Sequence, residues 1–414
     1  MPLFVADRHE QLIDTPWREA AARAAIAHII GDAQTSFSPQ HYWRIHPLDV
    51  SPERAANALK PLYYGAAGVI WAINYLAARD AAELGRDYAP FLDDLLMRHR
   101  ADWRQLKGTL DSSFGVGDAG ILLLHHKLAP TKALADALYD VIESNNTDAT
   151  ATGISQTAMG FVFGMPGTML AGLFMLERTG EARWREQYLR SVDALWQAWR
   201  YIDDVDCDLW TQDLYGYVDL QIGALHGFAG NVFSMLRGQH LLTSERVLEL
   251  HERAAKTVQV TARHEAAFVN WPKVAAASTR PGSTTLLLQH CTGAPGIINC
   301  LAQVQGKAGE AIDALLLSGG ELIWSAGPLR KTPSLCHGTP GNGYAFLKLF
   351  ARTGNEVWLE RARRFAMHAI AQNARAVAEH GQRKYSLWTG DLGLAVFLYD
   401  CIRGVAEIPM LDVF

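Results

Sequence analysis

Apolar positions along the chain fall into two kinds of segment. In the first kind they recur at three- and four-residue spacing between charges, as in 184–200, 246–264 and 357–372. That period predicts amphipathic helices with one buried face. In the second kind almost every position is apolar, as in Val69 to Ile73 or Leu394 to Leu398. A helix apolar around its whole circumference is buried on all sides. The two kinds alternate, and little of the chain alternates with strand period.

A Gly-x-x-Gly element precedes each apolar segment. Its first glycines are Gly65, Gly117, Gly164, Gly227, Gly293, Gly338 and Gly390, at steps of 52, 47, 63, 66, 45 and 52 residues. One such element means little in a chain with 35 glycines. Seven in semi-regular order define a repeat: an outer amphipathic helix, a glycine turn and an inner buried helix. The expected fold is all-α, a toroid of seven helical hairpins with seven inner and seven outer helices, and a single domain over 1–414. Closure is favoured over an open solenoid because the inner helices are too apolar to line an exposed groove. The terminal repeats also lack the polar outer faces that cap an open array. Closure gathers the glycine turns at one end of the barrel, where glycine permits close backbone approach.

Composition narrows the function classes. The balance is 38 basic against 43 acidic residues, net −5, with no basic block. That argues against a nucleic-acid partner. No apolar stretch approaches the 18 residues of a membrane span. The N-terminus lacks the basic-then-apolar pattern of a secretory signal, and the five cysteines are few and odd in number. A cytoplasmic location with free or metal-bound thiols is expected.

Two cysteines stand in the repeat register. Cys291 lies two residues before Gly293, and Cys336 lies two before Gly338 with His337 between. Equivalent turns bring these side chains to one end of the barrel. Two thiolates and an imidazole make a Cys₂His set suited to tetrahedral Zn²⁺ with an open fourth position. The alternative is a pair of buried structural thiols. His226, in the register of His337, is a general acid/base facing the metal, a fourth ligand, or a helix-entry histidine bonded to backbone. His290, beside Cys291, is a weaker candidate of the same kind. Asp118 and Asp391 open their helices, where a carboxylate favours the helix dipole. Asp203, Asp204, Asp206, Asp208 and Asp213 read as a solvated loop, and Cys207, Cys300 and Cys401 as spare thiols. Zinc with two thiolates, joined by a substrate sulfur, is electron-rich. It favours thiol activation over hydrolysis, which uses His and carboxylate ligands.

From Tyr63 to Leu398 the chain resembles the lanthionine synthetase C-like (LanC-like) family. The motifs are Cys291-Thr-Gly-Ala-Pro-Gly, Cys336-His337-Gly-Thr-Pro-Gly-Asn-Gly and Leu225-His226-Gly-Phe-Ala-Gly, with FGVGDAG at 114–120 and SLWTGDLG at 386–393. The resemblance implies an α/α toroid whose zinc is held by Cys291, Cys336 and His337. It implies addition of an activated thiol to dehydroalanine or dehydrobutyrine in a peptide or protein. The thiol comes from the same peptide in lanthipeptide cyclases. It comes from glutathione in relatives that form the dehydroamino acid from phosphoserine or phosphothreonine. Lys331 matches a basic, thiol-substrate position of those relatives, with Arg330 beside it. The chain departs from the pattern at Thr292 (usually His or Tyr), His290 (commonly Trp), Leu287 (often Arg in cyclases) and Gly160 (an acid in cyclases). Those departures tilt the expectation toward a glutathione or other thiol adduct rather than a ring. They also keep open a zinc-containing scaffold that binds glutathione or peptide without turnover. A prenyltransferase-like zinc barrel or a glycosidase toroid is the remaining enzyme alternative.

Overall fold

A computed structural model describes residues 2–50, 59–145, 160–214 and 216–414. Its helices come in chain order as α1 (Glu19–Thr35), α2 (Ala66–Ala77), α3 (Leu92–Lys107), α4 (Asp118–Leu128) and α5 (Lys132–Asn145). Next are α6 (Gly160–Phe163), α7 (Met165–Thr179), α8 (Ala182–Ala198), α9 (Phe228–Arg237) and α10 (Ser244–Thr261). The last are α11 (Ala294–Leu301), α12 (Gly306–Ala326), α13 (Thr339–Thr353), α14 (Glu356–His380) and α15 (Asp391–Arg403).

The helices that follow the glycine turns form the inner layer. Along α2, α4, α7, α9, α11, α13 and α15, each touches the next, and α15 touches α2. The ring is therefore closed. The outer layer is α1, α3, α5, α8, α10, α12 and α14, and α1 covers the seam by packing on α15. The inner helices are buried along nearly their whole length, as in Val69 to Ile73 and Leu392 to Leu398. Each large apolar side chain buried in this way stabilises the fold by about 1.5–3 kcal/mol. The outer helices bury one face only; in α8 that face is Trp184, Tyr188, Val192 and Leu195.

The glycine motif has a steric cause. A side chain on Gly341 would overlap the Leu335 carbonyl oxygen, six residues back, and the second glycine of every other turn meets the same obstruction. At Gly293 the backbone adds a positive φ of 100°, a region that favours glycine.

The residue two positions before the first glycine carries a further device. At five of the seven turns its N–H bonds the carbonyl of its counterpart in the next turn. Tyr63 bonds Gly115 (2.8 Å), Gly115 bonds Val162 (2.9 Å), Cys291 bonds Cys336 (3.2 Å), Cys336 bonds Trp388 (3.0 Å) and Trp388 bonds Tyr63 (2.9 Å). A belt of peptide groups thus runs from the fifth turn, across the seam between the last and the first, to the third.

The chain is not wholly helical. Among the described residues three antiparallel ribbons pair Arg200–Ile202 (β1) with Cys207–Leu209 (β2), Gln212–Leu214 (β3) with Tyr217–Asp219 (β4), and Arg263–Glu265 (β5) with Phe268–Asn270 (β6). Three-residue strands are too short for their alternation to show in the sequence. The expected acidic loop at 203–208 is the β1–β2 turn. There Asp206 has φ 54° and pairs with Lys256 at 2.6 Å.

Candidate thiol and metal centre

Cys291 and Cys336 occupy adjacent places in the belt, so their side chains leave equivalent backbone positions one turn apart. The two thiols hydrogen-bond each other. That bond pulls the Cys291 thiol below its ordinary range, while it and burial push Cys336 well above. The two thiols therefore titrate as a coupled pair. Gln289 donates from Nε2 to Cys291 Sγ at 2.8 Å and is itself held by Arg8 at 3.1 Å. The Tyr63 hydroxyl bonds the Cys336 thiol, and its ring stacks on Trp388 at 5.4 Å.

One cavity is lined by Cys291, and a second opens beside His337. The smaller, about 220 Å³, is lined by Cys291, Thr292, His226, Lys273, Arg280 and Leu287, among others. His226 stacks on Phe163 at 5.3 Å and 14°, and Gln212 fixes its carbonyl at 2.7 Å. Burial, then Lys273 and Arg280, lower the imidazole to about 3, so it rests neutral at pH 7. The larger cavity, about 660 Å³, is lined by His337, Lys331, Arg330, Lys384, Arg375 and Glu10. Lys384 is paired with Asp49 (2.7 Å) and Arg375 with Glu10 (2.6 Å). Burial, followed by Lys331, Lys384 and Arg8, lowers His337 to about 4. Its ring lone pair is therefore free at neutral pH.

The sequence-predicted residues are divided by this geometry. Cys291, Cys336 and His226 are brought to one place. His337 and Lys331 line the neighbouring cavity. Among the described residues no three His, Cys, Asp or Glu side chains gather closely enough to hold a metal ion. The donor chemistry of two thiols in contact fits a thiophilic cation. A neutral imidazole on the residue following Cys336 supplies a third donor of the right type.

His290 sits elsewhere, buried in the barrel between Phe161 (6.2 Å) and Trp388 (5.0 Å) with Nδ1 3.0 Å from the Asn299 amide. Burial, then Lys348, lowers it to about 3. The departure at Gly160 has a structural cause. Its φ is 69°, its N–H is bonded by Asn231 at 2.8 Å, and a side chain there would overlap the Leu225 carbonyl. An acid cannot stand in that place. Cys300 and Cys401 lie on inner helices, and Cys207 lies in β2; all three are buried.

Sequence reasoning missed Tyr63, Gln289 and Lys273. Tyr63 was findable, since it holds in the first turn the register position of Cys336. Lys273 lies between β6 and α11, where no motif marks it.

A closed α/α toroid with a hydrogen-bonded thiol pair at its glycine-turn end is the class that fold and site define. The model of the family described as lanthionine synthetase C-like protein matches residues 60–413, and the chain belongs to that family. One relative is glutathione S-transferase LANCL1 of Danio rerio, 25% identical over 73% of this chain and 74% of the relative. Another is LanC-like protein GCL1 of Arabidopsis thaliana, 28% identical over 59% of this chain and 55% of that protein. Among solved structures, nisin cyclase superposes with a TM-score of 0.56 at 13% identity, covering 94% of this chain and 95% of that one. That likeness bears on the fold alone. Among the described residues no helix is long and apolar enough to cross a membrane.

Proposed function

We propose that the chain adds a thiol to dehydroalanine or dehydrobutyrine in a peptide or protein, forming a thioether, with glutathione as the thiol. The observation that carries this reading is the meeting of Cys291 and Cys336 beside a cavity that also holds His226. Cys291, Cys336 and His337 are the residues that would hold zinc. Bound there, the ion supplies the charge that keeps an incoming sulfur ionised at neutral pH.

The chain's own groups divide the remaining work. Neutral His226 accepts the proton of the thiol and returns it to the α-carbon once sulfur has bonded the β-carbon. The proton is conserved and no outside acid is needed. Lys331 and Arg330, on the wall of the larger cavity with His337, offer cations to the carboxylates of glutathione. The glutathione S-transferase name of the zebrafish relative supports that choice of thiol.

The test is incubation of the protein with a dehydroalanine peptide, with and without glutathione, read by mass. A gain of one glutathione is expected. A cyclised peptide of unchanged mass, formed from a substrate carrying its own cysteine, would favour ring formation instead. Full activity of Cys291→Ala at equal metal content would overturn the mechanism. Glutathione binding without turnover would reduce the protein to a scaffold.

A further inference from the structure

The smaller cavity contains two polar groups that the mechanism above leaves unused. Lys273 lines it and is half-buried, and among the described residues no hydrogen bond or ion pair of its amine is seen. Thr292 lines it too, with its hydroxyl buried and without a hydrogen-bond partner. A buried hydroxyl left unbonded costs stability unless something else uses it. Resting on the reading just given, we propose that Lys273 and Thr292 form an oxyanion cradle that binds the carbonyl oxygen of the dehydroamino acid and takes up the charge it gains when sulfur adds.

The backbone holds Lys273 where both reacting ends meet. Its carbonyl accepts from Ile222 N at 2.9 Å, and Ala275 N donates to Leu220 at 2.9 Å. This short ladder fixes it to the segment that leads into the His226 turn. Three residues earlier, Asn270 accepts from Ala294 N at 2.7 Å and donates to the Leu287 carbonyl at 3.1 Å. That fixes the same strap to the Cys291 turn. Lys273 therefore spans the proton-carrying turn and the sulfur turn, as a group serving both ends of one bond-forming step must.

The surrounding charges leave Lys273 available. Arg280 also faces the cavity, but its guanidinium is committed to Asp219 (2.7 Å) and the Leu214 carbonyl (2.7 Å). Asp219 is likewise committed, to Arg280, Gln221 and Ser278. Leu287, where cyclases carry Arg, brings no charge to this wall. Lys273 supplies a cation to the same cavity from another segment of chain.

The chemistry balances. The sulfur lone pair forms the S–Cβ bond. The Cα=Cβ pair moves through Cα to the carbonyl, and the oxygen becomes anionic against Lys273 and the Thr292 hydroxyl. His226 then protonates Cα with the proton it took from the thiol, and the carbonyl re-forms. Charge that develops only during reaction is where preorganised donors lower the barrier most.

Steady-state kinetics of the zinc-loaded protein with glutathione and a dehydroalanine peptide test the cradle. Lys273→Met is expected to lower kcat by about 10²–10³-fold, as loss of one oxyanion donor does. Lys273→Arg restores most of the rate, and Thr292→Val lowers kcat less than Lys273→Met. KM for glutathione, metal content and thermal midpoint are expected to stay near wild type in each variant, which a merely structural role would not predict. Calorimetric binding of the unreacted peptide, made without glutathione, is expected to change by no more than about threefold, because the charge is absent from the ground state. An active wild type whose Lys273→Met and Thr292→Val variants keep full kcat overturns the cradle alone. A wild type inert toward every dehydroalanine peptide overturns the function reading and the cradle with it.

Discussion

Four of the seven glycine turns bear acidic side chains, and they use them in opposite ways. The second and seventh turns carry Asp118 and Asp391 at the first residue of α4 and α15. Both are buried and both are neutralised within the wall. Arg100 of α3 reaches Asp118 at 2.6 Å, and Arg383 stands 3.6 Å from Asp391. The fifth and sixth turns carry Cys291 and Cys336, which meet each other and only neutral hydrogen-bonding groups, Gln289 and Tyr63. One backbone device thus serves two ends. A carboxyl one residue inside the helix faces the cations of the outer layer and becomes structure. A thiol two residues outside it belongs to the belt of peptide bonds and faces its counterpart, and at Cys291 also a cavity. The difference of three positions decides which acid is paired with a cation in the wall and which meets another thiol.

The largest effect separates the belt thiols from the core one. Cys291→Ala or Cys336→Ala is expected to lose bound metal and to bring thioether formation to background, read by elemental analysis and mass spectrometry. Cys300→Ala, on the same inner layer but outside the belt, is expected to cost about 1 kcal/mol of stability, with metal and activity kept. Equal loss of metal in all three would erase the distinction between belt and core thiols.

Next comes the proton carrier. His226→Ala is expected to lower kcat by about 10²–10⁴-fold with metal content unchanged, since the proposed metal set is Cys291, Cys336 and His337 and His226 lines the cavity beside Cys291. Metal lost along with activity would make His226 a ligand.

The aspartate turns answer a stability measurement instead. Arg100→Ala leaves Asp118 buried without its cation, and breaking such a pair costs about 3–5 kcal/mol. Arg100 is partly exposed, so the lower end is expected. Adding Asp118→Asn to Arg100→Ala should recover most of that loss in a denaturant titration. No recovery would mean that Arg100 acts through packing.

The repeat, the ring and the meeting of two cysteines were legible because each is written in register. A glycine every turn, an apolar run after it, and a thiol at one fixed offset need no knowledge of distant segments. The rest depends on contacts across the chain. Lys273 reaches the site through Asn270 and a ladder to Leu220, neither of which leaves a pattern. The ribbons are three residues long. His337 and His226 share a sequence register, yet they line different cavities, because the smaller cavity is closed by the strap that carries Lys273 and Arg280.

The smallest effect concerns Asp391 and its pH dependence. Burial, partly offset by Asn373 and Arg383, raises this carboxyl from 3.8 to about 6 in the folded protein. Between those values the unfolded chain gives up the proton while the folded chain keeps it. The unfolded state then binds fewer protons, so stability falls as pH rises. The contribution is fully present below about 3.8 and is lost as pH passes through about 6; a difference of that size corresponds to at most about 3 kcal/mol. Asp391→Asn removes the ionisation while keeping the shape. Its unfolding free energy relative to wild type is therefore expected to improve from pH 4.5 to pH 7.5, followed by urea titration at each pH. Cys300→Ala, which removes no group that titrates in this window, should run parallel to wild type. An Asp391→Asn curve that also ran parallel would mean that Arg383 holds the carboxylate ionised throughout, and that the seventh turn stores a formed ion pair rather than a buried proton.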